Sequence, residues 1–131
     1  MTFLNPLRSR NATATDLVAR LGGDEFLVLL GDIEPRTASG PHLVVPSRVR
    51  TVVGDLADRI GEALTEPIDL DGHPVTTSAA IGISIYPEDA RDARGLMKKA
   101  DLAMYSVKRA DHGPGYAIAG DLPDDESASA S

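Results

Sequence analysis

Residues Gly22-Gly23-Asp24-Glu25-Phe26 set two glycines before two adjacent carboxylates. They lie between two apolar runs, Leu17-Val18-Ala19-Arg20-Leu21 and Phe26-Leu27-Val28-Leu29-Leu30. A turn joining two strands needs only a pair such as Asn-Gly or Asp-Gly. Here two acids stand at the tip. Glycine adopts positive φ and lets a backbone come close to a ligand. A carboxylate pair at that point suits a hard cation such as Mg²⁺ shared with substrate phosphates. The chemistry this permits is metal-assisted handling of a phosphate-bearing substrate.

The elements that must position this turn follow from the pattern around it. Residues 17–21 and 26–30 read as a β-hairpin. Residues 31–46, with three prolines, read as a surface loop. Ser47 is a candidate N-cap for a helix to about Thr65, with Val49, Val52, Val53, Leu56, Ile60 and Leu64 as its apolar stripe. Asp71-Gly72 marks a turn between a short strand at 68–70 and a long strand predicted over 75–86. One face of that long strand is small (Thr76, Ser78, Ala80, Gly82, Ser84), which predicts close packing and a central place. A second helix is predicted over 92–110, burying Leu96, Met97, Ala100, Ala103, Met104 and Val107, with a last short strand at 116–119. The fold class is therefore α/β: an antiparallel-containing central sheet flanked by helices. The predicted organisation is an irregular N-terminus over 1–14, one domain over 15–119, and an acidic, disordered tail over 120–131.

Composition narrows the function. Hydrophobic residues make up 42% of the 131, enough for one core, and aromatics only 4%, so that core is aliphatic. The net charge of −7 argues against polymeric nucleic acid or an anionic membrane as partner, though not against a nucleotide that brings Mg²⁺. No cysteine is present, so thiol chemistry and disulfides are excluded. No stretch approaches the length of a membrane span and the start lacks the apolar core of a signal peptide, which makes the cytoplasm the expected location. His42, His73 and His112 have no metal-ligand spacing and read as loop residues. Ser78 has no His–Asp partner signal for a nucleophile, Asp101 reads as structural, and Met97 and Met104 as core filling.

Three segments together resemble the GGDEF family, the diguanylate cyclases. They are Arg20-Leu-Gly-Gly-Asp-Glu-Phe26, the run from Val75 to Pro87 carrying Ser78 and Gly82, and Ala100-Asp-Leu-Ala-Met-Tyr-Ser-Val-Lys108. The resemblance implies Mg²⁺-dependent condensation of two GTP into cyclic di-GMP, with release of pyrophosphate, between two facing domains of a homodimer. It implies Asp24 as a metal ligand and Glu25 as a helper at the metal or the attacking hydroxyl. Gly22 and Gly23 would let the turn approach the nucleotide, and Lys108 would reach the terminal phosphates.

The same resemblance implies a first metal-binding Asp and a guanine-binding run upstream, which the residues before Gly22 do not match. It therefore predicts an N-terminally truncated domain, inactive or weak, with an exposed sheet edge that favours dimerisation. Asp16 stands at the Asp place of the family's product-inhibition site but Thr13 at its Arg place, so tight product feedback is not expected. His112 stands where a second phosphate-binding Arg is usual, which implies a weaker phosphate grip. The alternatives are a non-catalytic nucleotide-binding or dimerisation module of cyclic di-GMP signalling, or a gene fragment without function of its own.

Overall fold

A computed structural model describes residues 16–31, 46–110 and 115–123. Its elements are β1 (Leu17–Gly22), β2 (Glu25–Leu29), α1 (Pro46–Thr65), β3 (Ile68–Leu70), β4 (His73–Val75), β5 (Ile81–Ile83), α2 (Ala93–Arg109) and β6 (Tyr116–Ile118). A 3-10 turn, Ala119–Asp121, follows β6. The α/β class is as expected, with both kinds of pairing: β1–β2 and β3–β4 are antiparallel and β5–β6 is parallel, each a two-stranded sheet. The chain divides into two units, Met1–Val52 and Val53–Ser131, with the boundary inside α1.

The long strand predicted over residues 75–86 is broken. Pairing of β4 ends at Val75 opposite Ile68, and pairing of β5 resumes at Ile81 opposite Tyr116. Alternating small residues permit a strand, but the ladder lasts only where a partner runs beside it. Thr76, Thr77 and Ser78 are exposed. The small face does receive a close neighbour, and that neighbour is α2. A Cβ on Gly82 would overlap the Ala100 carbonyl oxygen and stand 2.9 Å from Met104 Cβ. Ser84 Oγ donates to the Leu96 carbonyl at 2.7 Å.

α1 starts at Pro46, one residue before the predicted cap Ser47, which falls inside the helix. Proline suits a first turn because its missing N–H would have no intrahelical acceptor there. Val53, Leu56 and Ala57 are buried, and Val49, Val52, Ile60 and Leu64 are half-buried, as the stripe predicts. At Gly54 a Cβ would stand 2.9 Å from the Tyr116 hydroxyl, so α1 meets β6 through a glycine gap.

α2 is capped by Asp92, whose Oδ1 accepts from the Gly95 N–H at 2.6 Å. It stops at Ala110, whose N–H reaches the Val107 carbonyl at 3.2 Å. Ala103 is fully buried, and Leu96, Ala100, Met104 and Val107 are half-buried around it. Met97, expected in the core, is exposed because it lies at the edge of that arc. Ile85 and Asp89 close the connection into α2: the Asp89 N–H donates to Ile85 O, and Asp89 Oδ2 accepts from Ile85 N–H at 2.7 Å. Among the described residues, no helix is long and apolar enough to cross a membrane. The predicted irregular start and most of the acidic tail lie outside the described residues, but Gly120 and Asp121 belong to the 3-10 turn.

Candidate functional site

The Gly-Gly-Asp-Glu run forms the closed end of the β1–β2 hairpin. Leu17 pairs with Leu29, Val18 with Val28, Ala19 with Leu27 and Arg20 with Phe26. The register then shifts, and Gly22 pairs with Glu25, leaving Leu21 as an extra residue in β1. Such a bulge increases local twist and re-aims side chains. The loop proper is Gly23-Asp24. Glu25, expected in the turn beside Asp24, is instead the first residue of β2, because its backbone completes the last ladder pair.

Gly22 has φ 151° and Gly23 φ 55°, and a Cβ at either would meet no atom within 4 Å. These glycines are thus set by backbone conformation and not by crowding. The turn is held from one side by Arg20, whose Nε–H donates to the Gly23 carbonyl at 2.9 Å. The open end is tied by Asp16, whose Oδ1 accepts from the Gly31 N–H at 3.0 Å. Neither contact follows from the sequence pattern, in which Arg20 figures only as part of a motif and Asp16 only at the Asp place of an inhibition site. The offset of three from Arg20 to Gly23 was the available signal for the first.

Asp24 and Glu25 are both exposed, and neither carboxylate accepts a hydrogen bond among the described residues. Two adjacent, uncommitted carboxylates are hard oxygen donors of the kind Mg²⁺ takes from a protein while its other positions hold water and substrate phosphate. The donor set fits that ion. No group of three metal-capable side chains occurs among the described residues, so this turn supplies at most two of the donors. The structure brings Gly22, Gly23, Asp24 and Glu25 together in one turn, and places Lys108 in the other unit, exposed in the last turn of α2. Beside it the Arg109 guanidinium lies 5.7 Å from the centre of the Tyr105 ring. Asp101 and Ser78 are exposed, and His73 opens β4 instead of lying in a loop. Thr13, His42 and His112 lie outside the described residues.

Comparison with known proteins gives a consistent assignment. The sequence matches the family described as "Diguanylate cyclase, GGDEF domain" over residues 4–113. It is 45% identical over 96 residues to diguanylate cyclase TpbB of Pseudomonas aeruginosa, a match covering 72% of this chain and 19% of that protein. An uncharacterized signaling protein of Caulobacter vibrioides is 36% identical over 100 residues, covering 76% of this chain and 11% of the relative. A cyclic di-GMP phosphodiesterase of Pseudomonas aeruginosa, NbdA, is 34% identical over 94 residues, covering 72% and 10%. This chain therefore spans less than a quarter of the length of these relatives. The crystal structure of a sensory box/GGDEF family protein from Caulobacter crescentus superposes with a TM-score of 0.57 at 33% identity, covering 82% of this chain and 60% of that one. Motif order, the glycine-opened turn, the profile match and the structural likeness agree: the chain belongs to the diguanylate cyclase GGDEF domain family.

Proposed function

We propose that this chain is the GTP-condensing domain of a cyclic di-GMP signalling protein, and that these 131 residues alone turn over weakly or not at all. The observation that supports it is the turn: two carboxylates without hydrogen bonds among the described residues, on a hairpin end whose backbone is fixed by two positive-φ glycines and one guanidinium. In the reaction, the 3′-hydroxyl of each GTP attacks the α-phosphate of the other. One new O–P bond forms at each α-phosphate as its bond to the pyrophosphate breaks, giving cyclic di-GMP and two pyrophosphates.

A Mg²⁺ ion at the turn would neutralise phosphate charge during that displacement. Asp24 would be its principal ligand, with Glu25 beside it or at the attacking hydroxyl. Gly22 and Gly23 present no side chain, so a nucleotide can come against the backbone. Lys108 would meet the terminal phosphates as a point charge, in a position the helix C-terminus favours for a cation. Two copies must face one another for two GTP to react, which makes a two-fold homodimer the working form. A reaction that consumes GTP would run in the cytoplasm. The weak-turnover part of the reading rests on the residues before Gly22, which do not match the first metal-binding Asp and guanine-binding run that the family resemblance implies.

Incubation of the purified chain with GTP and Mg²⁺, followed by chromatography, is expected to show cyclic di-GMP at or near background. Abundant product would overturn the weak-turnover reading. A non-catalytic nucleotide-binding or dimerising module is the second reading, favoured by the exposed Leu17, Leu21 and Leu29 of the hairpin. A melting temperature unmoved by GTP and by cyclic di-GMP would remove the nucleotide-binding basis from both.

A further inference from the structure

We propose that Arg20 is a positioning residue, which sets the angle at which the turn presents Asp24 and Glu25 to a divalent cation. The proposal rests on the metal-binding role given to those carboxylates above. Its basis is one hydrogen bond and the peptide it controls. The Nε–H of Arg20 donates to the Gly23 carbonyl oxygen at 2.9 Å. That oxygen belongs to the planar peptide joining Gly23 to Asp24, so fixing it fixes the plane that carries the Asp24 Cα. Without such a hold little else constrains this peptide. Gly23 has φ 55° and no neighbour within 4 Å of a would-be Cβ, so neither rotamers nor packing limit its rotation.

The register explains why Arg20 is the residue that reaches. Arg20 pairs with Phe26 in the last regular pair of the ladder, and the extra residue Leu21 follows it. A bulge at that point turns the strand and re-aims the flanking side chains. A solvated arginine that touches the turn by chance is the plainer account, and exposed charge contacts contribute little on average. The two accounts differ in sign. A cation beside a cation site opposes binding, so removing a bystander Arg20 strengthens metal binding. Removing a positioning Arg20 weakens it.

The test uses the full chain and Mn²⁺ as a paramagnetic probe, read by broadening of the Asp24 and Glu25 amide signals. Two neutral variants separate the hydrogen bond from the charge. Arg20→Gln keeps an N–H on the atom bonded to Cδ, where Arg carries Nε, and Arg20→Met has neither donor nor charge at that reach. The Arg20→Met midpoint is expected about fivefold weaker than that of Arg20→Gln, the scale of one hydrogen bond. Cross-strand contacts between Leu17 and Leu29 show whether each variant keeps the hairpin. A second measurement needs no variant: the Arg20 Nε–H should exchange with solvent more slowly than that of the exposed Arg94. Equal midpoints for the two variants with a normal wild-type response, or an Arg20 Nε–H exchanging as fast as Arg94, would overturn this proposal alone. No broadening of Asp24 and Glu25 in the wild-type chain would overturn the metal role as well.

Discussion

The two antiparallel hairpins solve the same problem with opposite chemistry. Both close over two residues, Gly23-Asp24 in one and Asp71-Gly72 in the other. In the β3–β4 turn both residues have positive φ, 53° at Asp71 and 85° at Gly72, the φ pattern of a type I′ turn. An acid holds that turn from within: Asp69 Oδ1 accepts from the Gly72 N–H at 2.8 Å. In the β1–β2 turn a base does the holding, through Arg20 and the Gly23 carbonyl. The consequence is a difference in how many carboxylates remain open, Asp71 alone in one turn and Asp24 with Glu25 side by side in the other. Where an acid fixes the turn, its carboxylate is engaged. Where a guanidinium fixes it, the neighbouring carboxylates of Asp24 and Glu25 stay open to a ligand.

Substitutions can break this contrast at graded strength. Gly82, in neither turn, sets the upper end: with α2 backbone where its Cβ would go, Gly82→Ala should cost roughly 3 kcal/mol, read as a shift in the urea midpoint. A smaller loss would mean that α2 can slide away from β5. Joint replacement Asp24→Asn and Glu25→Gln should weaken Mg²⁺-dependent GTP binding at least tenfold with little change in melting temperature, whereas Asp69→Asn should leave binding untouched. Calorimetry of the three chains decides whether the two turns differ in function as they do in bonding.

Gly23→Ala and Gly72→Ala each force an L-residue to positive φ, at about 1–2 kcal/mol. Both should lower stability alike, but only Gly23→Ala should also reduce nucleotide binding. The smallest effect belongs to Asp69→Ala, which removes one exposed hydrogen bond worth about 1 kcal/mol and should register as a small fall in melting temperature.

Local signals were legible in the sequence to the extent that the structure uses local chemistry. Asp71-Gly72 announced its turn because only a few residue types tolerate that φ pair. The second helix was legible from its apolar spacing, whereas its cap, Asp92, came from the structure. The stripe of α1 was legible from its period, but its start was not, since Pro46 and Ser47 both suit a first turn. The break after Val75 could not be read, because it depends on where partners 68 and 116 begin and end. The same limit hid the place of Glu25: a one-residue bulge at Leu21 moves it from the turn into the ladder. The family was legible from three motifs, whereas the hold that Arg20 exerts needed the backbone to be seen.

The most direct measurement is a calorimetric titration of the 131-residue chain with GTP, in Mg²⁺ and again with the metal chelated. Binding is expected with Mg²⁺, strongly reduced on chelation, and equally reduced in the chain carrying Asp24→Asn and Glu25→Gln. Heats that are absent throughout, or that ignore both the metal and the two carboxylates, would contradict a metal-assisted nucleotide site at this turn.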